Sequence, residues 1–441
     1  MRLGLLWSPV LFGILILVSS PAHARPEGPG TAPLPAAAEG AAGEERFDPE
    51  AATEAYLARV PPADRAKSDA YFEGGYWLQL WGFLYGLAVA WVFLGTGLSA
   101  KIRGRVEALT RFRPLRTLLY AVAYILLATL LFFPLTLYSD FFREHQYSLS
   151  NQGFGAWMKD QTLELGMGLA LGSLALMALY AVFRRAPRRW WIGGAAVALA
   201  FLVFTALIGP VFIDPFFNTY TSLKDPGLRE SILSMARANG VPAEDVYQFD
   251  ASRQSKRVSA NVSGLLGTLR ISLNDNLLNR CSREEIQAVM AHEMGHYVLN
   301  HTYKGILFFG VILFGGFAFV RWSFEALAGR FGGRWGVRGI ADEAGLPLLM
   351  VLLSAFFFVL TPIDNTLIRI GEAEADIFAL NVARQPDAEA EVALKLGEYR
   401  KLSPSPLEEW LFFDHPSGRS RILMAMRWKA EHLREIASPG R

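Results

Sequence analysis

The chain of 441 residues contains a single cysteine, Cys281. One cysteine excludes an intramolecular disulfide and makes a metal site built from cysteine thiolates untenable. The chain also lacks an excess of charge, because 43 Lys and Arg residues are nearly balanced by 41 Asp and Glu residues, for a formal net charge of +2. Neither nucleic acid nor a strongly acidic partner is therefore indicated. Any metal site must use histidine and carboxylate side chains.

Long apolar segments are abundant. Hydrophobic residues make up 52% of the chain and aromatic residues 13%, which is more apolar material than one soluble core needs. A run over residues 3–18 precedes small residues at Ala22 and Ala24, so residues 1–24 are predicted to be a signal peptide or a first short span. Six later segments are each about long enough to cross a bilayer as a helix: residues 77–99, 115–137, 163–183, 190–213, 305–320 and 346–361. The sequence predicts a multi-span α-helical membrane protein with six to seven transmembrane helices.

Polar segments divide the chain further. Residues 25–75 are predicted to be an extracytoplasmic tether and lead-in, because residues 26–50 are rich in Pro, Ala, Gly and Glu and poor in large apolar groups. Four spans are expected within residues 76–213, two spans and a connecting loop within 305–366, and a helix and tail within 367–441.

A hydrophilic insertion at residues 214–304 separates the fourth span from the fifth. A helix is predicted over residues 226–239 and a short strand over 246–249, while residues 258–262 and 269–273 can pair as a hairpin. Such a hairpin could bind an extended peptide by edge pairing, or it could only pack on the helix that follows. The insertion is expected to be a small α+β unit.

Basic residues accumulate in three of the loops between spans. They are Lys101, Arg103, Arg105, Arg111, Arg113 and Arg116 in the first loop, Arg184, Arg185, Arg188 and Arg189 in the second, and Arg321, Arg330, Arg334 and Arg338 in the third. Counting spans places all three loops on one side of the membrane, which the positive-inside rule makes cytoplasmic. The insertion and the tail should therefore face away from the cytoplasm, as on the extracytoplasmic side of a bacterial inner membrane.

Residues 292–296 read His-Glu-Met-Gly-His. A Ser-x-x-Glu capping box at residues 282–285 and apolar residues at three- and four-residue steps predict a helix through this motif. Two imidazoles four residues apart on a helix project from one face and can bind one Zn2+ ion, so His292 and His296 are candidate ligands. Glu293 can reach a water on the same metal, and the pattern indicates metal-assisted peptide hydrolysis with Glu293 as general base.

A zinc site of this kind needs a third protein ligand. The candidate is Glu372, on a helix predicted to continue from the last span and to stop before Pro386. Asn365, Glu372 and Asp376 share a helix face, whereas Glu374 is turned by about 200° from Glu372. Glu372 is therefore predicted to bind the metal, and Asp376 and Asn365 to support the ligands, Asp376 by accepting a hydrogen bond from an imidazole. Without the His-Glu-Met-Gly-His motif, these residues would be an ordinary acidic helix face.

Ordered motifs along the chain resemble those of the type I CAAX prenyl endopeptidases, which are integral-membrane gluzincin metalloproteases. The resemblance covers most of the chain and rests on these motifs: Pro210-Val211-Phe212-Ile213 with Phe217, Ser255-Lys256-Arg257, Arg270-Ile271 with Asp275, His-Glu-Met-Gly-His, Asn365 with Arg369, Glu372 with Ala375 and Asp376, and His415-Pro416 with Arg421. It implies a barrel of spanning helices that encloses a chamber, and one zinc ion bound by His292, His296 and Glu372.

The resemblance also implies roles for residues outside the zinc motif. His415 followed by Arg421 resembles the His-Pro and Arg of the family, which implies that both side chains donate to the oxyanion formed during hydrolysis. The alternative for His415 is a helix cap before Pro416. Asn261 loosely resembles the asparagine of the family's substrate-side strand, which implies that it binds substrate.

The predicted function is that of an integral-membrane zinc endopeptidase acting on a peptide or membrane-protein substrate at the lipid bilayer. One alternative is an intramembrane-cleaving metalloprotease, but charged residues flank the metal helix and no Leu-Asp-Gly motif is present. The other is a non-catalytic scaffold or transporter, but the ligands and base are intact and ionisable residues are nearly absent from the predicted spans. A site facing away from the cytoplasm argues against a prenylated substrate.

Overall fold

The computed structural model describes residues 47–263 and 269–436. The helices are α1 Pro49–Ala58, α2 Pro62–Gly95, α3 Leu98–Leu109, α4 Arg113–Thr136, α5 Arg143–Gln146, α6 Phe154–Met167, α7 Ser173–Arg185, α8 Trp190–Ile208, α9 Pro226–Ala238, α10 Asp275–Arg280, α11 Arg283–Val298, α12 His301–Trp335, α13 Leu346–Ala383, α14 Pro386–Leu396, α15 Pro406–Phe412 and α16 Gly418–Ile436. The strands are β1 Tyr220–Ser222, β2 Val246–Phe249, β3 Ala260–Ser263 and β4 Arg270–Asn274. The predicted leader at residues 1–24 and the turn at residues 264–268 lie outside the described residues.

Six helical segments of the described chain are long and apolar enough to cross a membrane, which confirms the predicted multi-span fold. They are Pro62–Gly95, Arg113–Gln146, Phe154–Arg185, Trp190–Phe216, His301–Trp335 and Glu343–Ala383. The last two are longer than the predicted 305–320 and 346–361. Their helices continue into the polar flanks until Gly336 and Arg384, which have left-handed φ values of 70° and 54° and so end the helical hydrogen bonding.

The lead-in to the first span is helical from Pro49 onward, where the sequence suggested a tether. Asp48 caps α1 by accepting a hydrogen bond from the Glu50 amide at 2.9 Å. Leu57 of α1 is buried in a core that includes Ile422 of the C-terminal helix α16. Few apolar residues are enough to hold α1 in place, because α1 packs on a core formed largely by the C-terminal helices.

The three basic loops meet at one end of the helix bundle. Arg103 of the first loop donates to the Gly336 carbonyl at 2.8 Å and also pairs with Asp342, both in the third loop. Arg184, where the second loop begins, pairs with Glu343 at 3.1 Å. These contacts agree with the prediction that the three loops share one side of the membrane.

The insertion contains a four-stranded sheet in the order β1-β2-β4-β3. β2 and β4 are parallel, while β1 pairs with β2 and β3 pairs with β4 in antiparallel fashion. The predicted hairpin is therefore present, with Asn261 opposite Ser272 and Ser263 opposite Arg270. β3 is an edge strand of the described sheet, and it packs beside α11.

Helix α11 carries the His-Glu-Met-Gly-His motif through the insertion. The predicted capping box is present, because the Glu285 amide donates to Ser282 Oγ at 3.2 Å and the Ser282 amide donates to the Glu285 carboxylate at 2.9 Å. Ile286, Met290 and Met294 are buried in the core of the insertion. Burial of each such side chain contributes about 1.5–3 kcal/mol. Burial of this face fixes the orientation of α11 about its own axis, and therefore the direction in which the motif side chains project.

Candidate active site

The motif on α11 meets Glu372 where α11 crosses α13. Nε2 of His292 lies 3.1 Å from Nε2 of His296 and 3.3 Å from Oε2 of Glu372, and Nε2 of His296 lies 3.6 Å from Oε1 of Glu372. Tetrahedral zinc with bonds of about 2.0–2.1 Å separates its ligand atoms by about 3.3–3.4 Å. The three side chains therefore fit one zinc ion.

Gly295 allows the two helices to approach this closely. A Cβ atom at this position would lie 3.3 Å from the Cα of Ala375 and 3.1 Å from the ring of Phe378. A larger side chain would press on the backbone of α13, which cannot yield as a flexible side chain can. The glycine of the motif thus contributes to the site by bringing Glu372 within reach of the two histidines.

Asp376 orients the His292 ring. Its Oδ1 accepts a hydrogen bond from Nδ1 of His292 at 2.8 Å, which leaves Nε2 facing His296 and Glu372. Asp376 also accepts from Arg421, whose guanidinium donates to Glu389 at 3.2 Å as well. Burial opposes a positive charge on His292, but hydrogen bonds from Asp376 and Glu372 outweigh burial and raise the pKa of His292. The carboxylates thus favour a positive charge at the ligand cluster, whether on a proton or on a metal cation.

Burial has opposite consequences for the other two functional residues of α11. It lowers the pKa of His296 to about 3, so the ring is neutral near pH 7, and imidazole binds metals in the neutral form. It raises the pKa of Glu293 to about 8, because the ionised carboxylate loses its solvation. A cation bound beside Glu293 would favour the ionised form again.

His415 reaches the same cluster from the C-terminal tail. Its Nε2 lies 3.2 Å from Oε2 of Glu372, and its Nδ1 donates to Asp414 at 2.9 Å. Burial alone would raise the pKa of Asp414, but the neighbouring His415 lowers it well below its usual range. Asp414 is therefore ionised near pH 7 and orients the His415 ring.

Arg421 has different contacts from those expected. The predicted role was donation to the reaction oxyanion together with His415. Its guanidinium pairs with Asp376 and Glu389, both nearly fully buried, and it also lines the same cavity as His415. A buried cation needs anionic partners, and one of these partners, Asp376, holds Nδ1 of His292. The contacts support a role for Arg421 in holding Asp376 and, through it, His292, while donation to the oxyanion stays a prediction.

Asn365 also differs from its predicted role. It lies nearly two helical turns before Glu372, and its amide donates to the Leu411 carbonyl at 2.9 Å. Arg369 acts on the same segment by donating to the Glu409 carbonyl at 3.0 Å. Asn365 therefore holds the segment that leads from Leu411 to His415, and its hydrogen bond is not to one of the candidate metal ligands.

His292, His296 and Glu372 lie at a cavity of about 520 Å³. Glu293 and His415 line it beside these three residues, and Asn261 lines it from the edge strand β3. Apolar residues including Phe308 and Leu367 form another part of the wall. The structure thus brings Asn261, although distant in sequence, to the same cavity as the zinc motif.

Sequence reasoning assigned no role to His301, which lies against the zinc motif. Its Nδ1 is 2.9 Å from Nδ1 of His296, and its Nε2 is 3.0 Å from Oε2 of Glu374. The available signal was Asn300, since asparagine tolerates the left-handed backbone that breaks a helix. Such a break between α11 and α12 can turn the next side chain back toward the motif.

Comparisons with known proteins show which family the chain belongs to. The family description "CAAX prenyl protease N-terminal, five membrane helices" matches residues 49–219, and "Peptidase family M48" matches residues 222–429. The chain is 30% identical to the uncharacterized metalloprotease YhfN of Bacillus subtilis, over 77% of this chain and 81% of YhfN. It is 27% identical to CAAX prenyl protease 1 of Saccharomyces cerevisiae, over 81% and 84% of the two chains. The crystal structure of S. mikatae Ste24p shares the fold, with a TM-score of 0.71 and 24% identity over 86% of this chain and 95% of that one.

The spanning helices and the His-His-Glu cluster define an integral-membrane zinc metalloendopeptidase. The chain belongs to peptidase family M48, and its N-terminal part matches the membrane region of CAAX prenyl proteases. The predicted family resemblance is confirmed. The family description counts five membrane helices in residues 49–219, whereas four helical segments of that region are long and apolar enough to span. Helix α3, with 12 residues, is too short.

Proposed function

We propose that the chain hydrolyses peptide bonds with one zinc ion held by His292, His296 and Glu372. The observation that carries this proposal is the set of ligand-atom separations, 3.1, 3.3 and 3.6 Å, close to those of a tetrahedral zinc site. Zinc bound there supplies a Lewis acid that polarises the peptide carbonyl and acidifies water.

Glu293 is the proposed general base. It follows His292 on α11 and lines the cavity without joining the ligand cluster. It takes a proton from the attacking water and passes it to the leaving amine. Its buried position supports this role, because a carboxylate with a raised pKa binds a proton more readily near neutral pH.

His415 is the proposed donor to the carbonyl oxygen. Asp414 holds its Nδ1 at 2.9 Å, and its Nε2 faces the ligand cluster 3.2 Å from Glu372. A donor placed in advance at this position stabilises the negative charge that develops on the oxygen. Arg421 and Asp376 are proposed to act through His292, by holding its ring in the orientation that binds metal.

The proposed substrate is an extended peptide or an unfolded segment of a membrane protein. β3 is an edge strand, so a peptide can add to the sheet there by main-chain hydrogen bonds. Asn261 lines the cavity from this strand and is the proposed side-chain contact. One relative is named CAAX prenyl protease 1. We propose that prenylation is not required here, because the site faces away from the cytoplasm.

The proposed orientation follows from the distance between the site and the basic loops. Leu346 starts α13 beside those loops, and Glu372 lies 26 residues further along the same helix. At 1.5 Å per residue this is about 39 Å, which exceeds the roughly 30 Å of the bilayer hydrocarbon. With the basic loops cytoplasmic, the site lies on the extracytoplasmic side, as in a bacterial inner membrane. It also lies outside the hydrocarbon, which disfavours intramembrane cleavage.

Metal content and proteolysis of the purified full chain test the proposal, with fluorescein-labelled casein as the probe substrate. Glu293→Gln should keep one zinc per chain and lose hydrolysis, because the amide keeps the shape of the side chain without the base. His296→Ala and Glu372→Ala should lose zinc and hydrolysis together. The matched control is Glu230→Gln, at an exposed glutamate of α9, which should change neither.

Two outcomes would overturn parts of this scheme. Hydrolysis retained by Glu293→Gln rejects Glu293 as the base. Full zinc in Glu372→Ala, together with loss of zinc in Glu374→Ala, assigns the third ligand to Glu374. Membrane-peptide profiles of cells carrying the intact chain or Glu293→Gln would then identify natural substrates as the peptides that accumulate with the variant.

A further inference from the structure

The short break between α11 and α12 brings a third histidine to the site. α11 ends at Val298, Asn300 has the left-handed values φ 59° and ψ 34°, and α12 begins at His301. The break turns the His301 ring back onto the motif helix. Gly371 of α13 lies against this ring, because a Cβ atom at Gly371 would be 3.7 Å from Nδ1 of His301.

The distances around His301 define a directed chain of hydrogen bonds. Nε2 of His296 faces the ligand cluster, so a metal-binding His296 must carry its proton on Nδ1. That proton is donated to Nδ1 of His301, 2.9 Å away. His301 then carries its own proton on Nε2 and donates it to Oε2 of Glu374 at 3.0 Å. Lys304 donates to the same oxygen at 2.9 Å.

The two histidine ligands are thus held by two carboxylates of the same helix. Asp376 contacts His292 directly at 2.8 Å, and its side chain is 2% exposed. Glu374 contacts His296 only through His301, and its side chain is 44% exposed. The His301 side chain is 11% exposed, so the connecting imidazole is itself shielded from solvent.

We propose that His301 is a positioning residue for the second zinc ligand, and that the Glu374–Lys304 pair sets its tautomer. This inference rests on the proposed function, because it takes His296 as a ligand through Nε2. Without the acceptor on His301, the His296 ring loses the hydrogen bond that keeps Nε2 toward the metal. Residues of this kind typically change metal affinity by about 10- to 100-fold when removed.

Zinc affinity of the purified full chain, measured by competition with a chromogenic chelator, tests this role. His301→Ala should bind zinc about 10- to 100-fold more weakly, and His301→Gln should recover part of the loss because its amide can both accept and donate. His432→Ala is the matched control. Its ring is bonded to the Trp428 carbonyl at 2.8 Å, outside the cavity lining, and zinc affinity should not change.

A double variant separates positioning from a general structural effect. Glu374→Ala alone should weaken zinc binding, but Glu374→Ala combined with His301→Ala should bind zinc no more weakly than His301→Ala, because Glu374 acts through His301. If the losses of zinc affinity in the two single variants add up in the double variant, the proposed hydrogen-bond path from Glu374 through His301 is wrong. If His301→Ala does not fold, Glu374→Ala decides, since Glu374 is half exposed and unchanged affinity in this variant would overturn the proposal.

The same measurements distinguish failure of this inference from failure of the proposed function. If the intact chain binds no zinc, or if His296→Ala keeps the full affinity, the proposed zinc site itself is wrong. If the intact chain needs His296 but His301→Ala stays within about twofold of its affinity, only the role of His301 is rejected.

Discussion

Removal of the Arg421 guanidinium should lower the stability of the fold and the affinity of the site for zinc. The side chains of Arg421, Asp376 and Glu389 are 7%, 2% and 3% exposed. Arg421→Ala therefore leaves two buried carboxylates without their shared cation, and breaking a buried pair in this way costs about 3–5 kcal/mol. Burial already raises the pKa of Glu389, so Glu389 can take up a proton when the cation is removed. We therefore expect Arg421→Ala to lower the free energy of unfolding by about 3 kcal/mol, near the lower end of that range.

Arg421→Ala should also lower the affinity of the site for zinc. Asp376 holds Nδ1 of His292 at 2.8 Å and loses its second partner in Arg421→Ala. The His292 ring is then less firmly oriented, and zinc affinity should fall by about 10-fold or more. Because Glu389 is more fully protonated at lower pH, the stability loss should be smaller at pH 5 than at pH 8.

Thermal unfolding of the metal-free chain and zinc competition measure the two effects of Arg421→Ala. The control is Arg427→Ala on the same helix, since the Arg427 side chain is 62% exposed and pairs with the exposed Glu50. Surface pairs of this kind contribute about 0–1 kcal/mol. The reasoning fails if Arg421→Ala keeps its stability and zinc affinity but loses kcat by about 10²–10³, because that pattern belongs to an oxyanion donor.

Three further predictions address the tail, the cysteine and the orientation. His415→Ala should keep zinc, leave KM little changed and lower kcat by about 10²–10³, and a near-normal kcat would remove His415 from the mechanism. Burial raises the pKa of Cys281 to about 12, so maleimide labelling of the folded chain should be slow at pH 7 and quicken about tenfold per pH unit, whereas rapid labelling at pH 7 would contradict the burial. Alkaline phosphatase fused after Arg441 should be active in bacterial cells, and an inactive fusion beside an active cytoplasmic reporter at the same point would reverse the orientation.

The features of α11 could be predicted because their signals are local. The capping box from Ser282 to Glu285 spans four residues, and the spacing of His292 and His296 follows from the helical repeat alone. The hairpin of β3 and β4 was predicted for a similar reason, since its strands are separated by a short glycine-containing segment. Each of these predictions needed only residues that are close together in the sequence.

The partners of Arg421 could not be predicted in the same way. They depend on where α16 crosses α13 and α14, and nothing in a single sequence sets these crossings. The position of Arg421 after His415 suggested a shared role, and both residues line the cavity, but the position gives no sign of the pairs with Asp376 and Glu389. Asn365 shows the same limit, because its predicted face on α13 is correct while the residue it meets, Leu411, comes from a distant segment.

Glu374 shows how correct helical geometry can still give an incomplete account of a site. A rotation of about 200° from Glu372 argues that Glu374 does not share the metal with Glu372, and in the structure it lies instead at His301. The same rotation that turns Glu374 from the ligand cluster turns it toward the start of α12. Glu374 is therefore not a candidate ligand, although its carboxylate contacts His301, which in turn contacts His296. The residues that hold ligands in place must be sought on the helix faces beside the metal as well as on the face that binds it.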